Sequence, residues 1–164
     1  MDTLQQLKDE LTQEYNTTKK FFKLFPEGKN RFAPHEKSTK LIDLCTHIVG
    51  IYGWPETMLS TSDLDFANGQ ETEKIENRTQ LEDQLDKQYK ASLSALEQAG
   101  EPDLHPYWSI SMKGQKLKEW TKYGAIRHAL NQITHHRAQL GVYYRLLDIP
   151  VPGSYGPSAD DQSF

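Results

Sequence analysis

Apolar residues along this chain recur mainly three and four positions apart, the spacing that lines them up on one face of an α-helix. Leu4, Leu7, Leu11, Tyr15, Thr18, Phe22 and Phe25 form the first such run. It predicts a helix over roughly residues 3–24, stopped by Pro26 and Gly28. Leu41, Leu44, Cys45, Ile48, Ile51 and Tyr52 form the second, in a helix expected to begin near Glu36. Gly53 and Pro55 break or kink that helix at Trp54. A third run, Leu81, Leu85, Tyr89, Leu93 and Leu96, predicts a helix over roughly residues 79–98, which Gly100 and Pro102 end. The longest helix is predicted over roughly residues 118–147, with Ile126, Leu130, Ile133, Leu140, Tyr144 and Leu147 on one face. Pro150 and Pro152 stop it and leave an extended tail.

Between these runs, roughly residues 60–76 are rich in Ser, Asp, Asn, Gly and Glu and read as loop. Roughly residues 103–117 are aromatic but irregular and read as a long connection, with His-Pro and Lys-Gly pairs that suit turns. No segment insists on being a strand. The expectation is therefore an all-α fold, an antiparallel four-helix bundle with long connecting loops, built as a single domain over residues 1–164. Both long connections exceed what a minimal bundle needs, so they are expected to cap one end and shape a pocket.

Charge narrows the partners. The formal net charge is -4, with acidic and basic residues interspersed. No basic stripe is available to neutralise phosphates, which argues against nucleic acid. No stretch approaches the roughly 20 apolar residues of a membrane span, and the polar, amphipathic start lacks the apolar core of a secretion signal. One cysteine, Cys45, excludes an intrachain disulfide and suits a reducing compartment. A cytoplasmic protein is expected.

Histidine placement carries most of the candidate chemistry. At about 100° per residue, His47 lies roughly 100° from the centre of its helix's apolar stripe, and His136 roughly 70° from the centre of its own. Gln132 precedes His136 by one turn and points the same way. Two helices can thus aim His47, Gln132 and His136 at one point, as a metal needs; a lone edge histidine is more often a hydrogen-bonded core residue than a ligand. His128 and His135 fall on the opposite face and are expected to meet solvent or a subunit partner. His35-Glu36 begins like a zinc helix, but Thr39 stands where the second histidine is required. Cys45 reads as a small core residue. Arg137 lies inside the apolar stripe, where a guanidinium needs a carboxylate or carbonyl partner, either structural or belonging to an anionic substrate. Trp54, Trp108 and Trp120 could wall a pocket or simply pack.

Two segments, APHEKSTKLIDLCTHIVGIYGW and LNQITHHRAQLGVYYRLLDIPVPGSYGPSADD, resemble the DinB/YfiT-like family of metalloproteins. The first is similar to the family's second helix and the second to its last long helix and following tail. The resemblance implies a four-helix bundle, commonly a homodimer, with a divalent metal, nickel or zinc, bound by three histidines. His47 and His136 match two of those positions, whereas Gln132 stands at the third. An amide oxygen is a weaker donor than imidazole toward these metals, so Gln132 ligates weakly, a water replaces it, or the metal is absent. Family activities imply a metal-dependent transfer of a low-molecular-weight thiol to a small electrophile, or a related hydrolysis, with Arg137 steering an anionic thiol. The competing reading is a non-catalytic bundle that binds a small ligand, with weak or no metal.

Overall fold

A computed structural model describes residues 2–69 and 74–162. Its helices are α1 (Thr3–Phe22), α2 (Leu41–Tyr52), α3 (Trp54–Ser60), α4 (Arg78–Gln98) and α5 (Lys122–Leu146). Three strands, β1 (Asp63–Asp65), β2 (Tyr107–Met112) and β3 (Gln115–Thr121), form one mixed sheet in that order. The expected all-α bundle is therefore corrected. Four long helices are present as foreseen, but the two stretches read as loops carry a sheet. β1 pairs parallel with β2, Leu64 opposite Ile110, and β2 pairs antiparallel with β3, Trp108 opposite Trp120.

Local chemistry accounts for the helix starts. The side chains of Asp2, Asn77 and Thr121 accept from the backbone N–H groups of Gln5, Gln80 and Gly124, so α1, α4 and α5 each begin on a satisfied cap. Helix α2 starts at Leu41, later than the expected Glu36, because residues 35–40 turn before entering it. Pro55 sits in the first turn of α3, where its missing N–H costs nothing, so the chain bends at Gly53 and then resumes a helix. Helix α5 begins at Lys122 rather than near Lys118 because the preceding residues belong to β3.

The core lies where α1, α2, α4 and α5 meet, and Leu41, Ile48, Leu81, Leu85, Ile133 and Leu140 are all fully excluded from solvent. Each such aliphatic side chain contributes about 1.5–3 kcal/mol on burial. Cys45 is fully buried among them, and that burial pushes its thiol pKa far up, which makes it an inert core residue. Tyr15 stacks on Tyr89 at 3.9 Å between α1 and α4. No helix among the described residues is long and apolar enough to cross a membrane.

The sheet is fastened by two aspartates. Asp63 accepts hydrogen bonds from the hydroxyls of Ser109 and Ser111, at 2.7 and 2.8 Å, which explains why these two polar side chains can be buried. Asp65 accepts from the backbone N–H groups of Ala67, Lys113 and Gly114, and the first two of its lowering influences, the bonds from Ala67 and Gly114, hold its carboxyl below the ordinary range. The hairpin turn places Lys113 and Gly114 at φ 52° and 76°, a left-handed pair suited to a two-residue connection. Because β3 runs straight into α5, the hairpin folds back over the first turns of that helix.

Candidate metal centre and its two chambers

Helices α2 and α5 pack side by side and bring His47 against His136. Their ring centres are 4.6 Å apart and nearly perpendicular, at 81°. Two imidazoles that bind one metal at about 2.0–2.1 Å put their ring centres about 4.5–5.2 Å apart as the angle between them opens from square to tetrahedral, so the observed spacing lies at the short end of that range. His136 Nδ1 lies 2.8 Å from Gln139 Oε1. An amide oxygen only accepts, so Nδ1 carries a proton, and in the neutral ring the lone pair is then on Nε2. That is the outer hydrogen bond a metal-binding histidine uses to fix its tautomer. The Gln139 amide nitrogen reaches on to His135 Nε2 at 3.2 Å, and the rings of His135 and His136 lie 4.9 Å apart.

His47 is exposed as a residue, but partial desolvation of its ring, and secondarily the neighbouring His136, hold its pKa below the ordinary 6.5. A neutral imidazole at neutral pH is the form that can donate a lone pair. Gln132 is half-buried one turn before His136 on α5 and forms no hydrogen bond to either ring among the described residues. No cluster of three His, Cys, Asp or Glu side chains suited to a metal occurs among those residues. Two imidazoles thus satisfy part of a metal's needs, and the remaining donors would be an amide or water.

His47 borders two chambers. On one side is a polar cleft of about 500 Å³ that also meets Lys37, Ser38, His136, Gln139 and Tyr143. Tyr143 is fixed there by donating its hydroxyl to the Thr39 carbonyl at 2.7 Å. On the other side is an apolar chamber of about 470 Å³, walled by Trp54, Met58, Trp108, Ile110 and Trp120. The ring of Trp54 meets His47 at 5.9 Å, edge to face. The three tryptophans do line a pocket, as the sequence allowed.

Arg137 and His128 are placed differently. Arg137 is buried and paired with Glu14 of α1 at 2.6 Å, and also donates to the Glu14 carbonyl and the Thr18 hydroxyl. Tyr155 of the tail covers its guanidinium and donates its own hydroxyl to the Glu14 carboxylate. This network borders a cavity between α5 and the tail, not the chambers beside the imidazoles. His128, expected to face solvent or a partner, is half-buried and stacks on Trp120 at 5.2 Å. Trp120 of β3, expected in the first turn of the last helix, covers it. His135 is exposed, as expected. Gln139 and the Trp120–His128 stack were missed; only the three-residue step from His136 to Gln139 hinted at the former.

Comparison with known proteins agrees with the fold. The chain matches the DinB family over residues 1–163. A DinB-like protein from Bacillus subtilis has a similar structure, with a TM-score of 0.70 at 19% identity, covering 87% of this chain and 92% of that one. A protein assigned to the same family from Exiguobacterium sibiricum gives 0.69 at 18% identity, covering 90% and 93%. No curated protein matches the chain.

Proposed function

The chain belongs to the DinB family, and from that premise we propose that His47 and His136 hold a divalent metal, nickel or zinc, where the two chambers meet. The observation that carries this is the imidazole pair itself, with rings 4.6 Å apart and His136 oriented by Gln139. Gln132 or water completes the coordination. A bound divalent ion would lower the pKa of a thiol or water so that its anion forms at neutral pH.

The chain's own residues divide the remaining work. Gln139 holds the His136 proton on Nδ1 and keeps Nε2 directed to the centre. The polar cleft, with Lys37, Ser38 and Tyr143, receives a small polar nucleophile such as a low-molecular-weight thiol. An acidic group on that thiol meets Lys37 there, since Arg137 is occupied by Glu14. The apolar chamber receives the electrophile and excludes water from it. Thiol transfer is thereby favoured over hydrolysis, because one chamber is polar and the other apolar, as two unlike substrates require. A homodimer and a cytoplasmic location complete the proposal; Val142 and Leu146 are exposed on α5, and the lone cysteine suits a reducing environment.

Elemental analysis of protein purified without a metal-affinity tag is the test. Near-stoichiometric metal that is lost in His136→Ala and His47→Ala is expected, with tighter retention against chelator in Gln132→His. Metal-free wild type that also fails to take up zinc or nickel would leave a small-ligand-binding bundle, the reading the apolar chamber alone supports.

A further inference from the structure

We propose that the apolar chamber is a binding site for a flat, uncharged aromatic molecule, and that this molecule, where it carries a conjugated electrophilic double bond, is the substrate of the centre described above: the thiol S–H adds across that bond, sulfur to one carbon and the proton to the other, so that no group leaves. Its role as substrate rests on that reading, whereas its binding does not.

The chamber's size, about 470 Å³, lies within the roughly 300–1,000 Å³ of small-molecule sites. Its wall is built from ring surfaces. All three tryptophans of the chain contribute, and Phe66 stands at its edge, itself about half exposed. Trp108 donates its indole N–H to Thr61 Oγ1 at 3.0 Å, so it offers the chamber a ring and no donor. Trp108 therefore recognises a ligand by area and stacking rather than by an indole hydrogen bond.

Flatness follows from the alignment of those rings. Trp108 and Trp120 lie within 27° of parallel at 6.4 Å, and Trp120 and His128 within 26° at 5.2 Å. The Trp120 ring of β3 is thus near parallel to one ring from β2 and to one from α5. A planar ligand continues that order with offset contacts, whereas a puckered saturated ring meets the same faces without matching them. Charge selects next. Asp43 is the one fully charged side chain among the described lining residues, so an acidic ligand is disfavoured, and a cation would lose its hydration against an otherwise largely apolar wall.

Gly50 supplies the room. It lines the chamber from α2, and a Cβ built on it meets nothing within 4 Å. A larger side chain there fills the chamber without displacing a neighbour at its first atom.

The test uses 2-nitronaphthalene, a flat and neutral quencher of indole emission, titrated into the full chain in the presence of chelator. Saturable quenching is expected. In competition followed by ligand NMR, 2-naphthol should displace it at several-fold lower concentration than decahydro-2-naphthol or naphthalene-2-sulfonate. Gly50→Leu should abolish saturable binding with the thermal transition retained. Trp120→Leu should weaken it by about two- to tenfold, the span that one ring contact supplies, and Trp120→Phe should restore most of it. Quenching that never saturates, equal displacement by the saturated alcohol, or unchanged affinity in both Gly50→Leu and Trp120→Leu would overturn the proposal. Binding with no metal uptake would refute the metal reading alone, and metal without saturable binding would refute this one alone.

Discussion

Replacing Arg137 with methionine keeps most of the side chain's length and removes its charge from a place where water cannot substitute. Arg137 and Glu14 are each 2% exposed. Their pairing neutralises two charges that are costly to bury alone, so removing one partner of such a buried pair costs about 3–5 kcal/mol. That is a large share of the roughly 5–15 kcal/mol by which domains are stable. For a chain of this size each kcal/mol moves the melting temperature by about 2–4 °C, so a fall of about 6–20 °C is expected. Urea unfolding followed by circular dichroism gives the same quantity as a midpoint shift at unchanged slope. The companion variant, Glu14→Leu with Arg137→Met, removes both charges together and should recover most of the loss, because an apolar pair of similar volume leaves no buried charge. It will not recover all of it, since the hydroxyls of Tyr155 and Thr18 lose partners in the network. A single variant within about 1 kcal/mol of wild type, or a double variant no better than the single, would refute the account of Arg137 as a structural ion-pair partner.

Three further outcomes follow from named contacts. Tyr155→Phe removes the hydroxyl that serves Glu14 and Thr134 and should cost about 1–3 kcal/mol; hydrogen exchange at the Val151 and Gly153 amides should quicken, and unchanged exchange would show that the tail is held by other contacts. Gly50→Ala should stabilise α2 by about 0.5–1 kcal/mol, because a helix-interior glycine loses more backbone freedom than alanine and the added methyl meets no atom within 4 Å; a lower melting temperature would contradict this. The folded pKa of His47 lies below its ordinary 6.5, so the unfolded chain takes up this proton first as pH falls. Its contribution to stability is therefore intact above about pH 6.5 and is lost as pH falls from there toward the folded value. In chelator-treated protein His47→Asn should flatten stability against pH across that window, and an unchanged slope would sink the assignment.

The helices were legible because their apolar residues repeat in a single period over many turns. Leu81, Leu85, Tyr89 and Leu96 fall where a helix needs them, and all four are buried. The strands were harder to read for reasons that are physical. β1 is three residues long and two of them are aspartates, so no apolar alternation exists to detect. β2 does alternate, with Trp108 and Ile110 on one face, but Ser109 and Ser111 are buried on the other against Asp63, which hides the inside-outside contrast. β3 is exposed over most of its length and reads as polar. The Lys113-Gly114 turn was the usable signal: a left-handed pair between two six- to seven-residue segments reads as a hairpin, not a connection.

The same missed hairpin decided which parts of the site could be foreseen. His47 and His136 were identifiable because angular position on a helix is a local property, and local periodicity sets it. His128 was misplaced because its environment comes from β3, which returns from the preceding sequence to lay Trp120 on its ring. Arg137 follows the same logic in reverse: its awkward position inside an apolar stripe announced that a partner was needed, but Glu14 lies 123 residues away in sequence. A periodic pattern reports which face of a helix is buried and is silent about what buries it. The two chambers beside His47 arise from that second kind of information: one is closed by the turn before α2 and the other by a sheet whose polar face is satisfied by aspartates. Shortening the hairpin should therefore open the apolar chamber while leaving the His47–His136 approach, set by α2 against α5, unchanged.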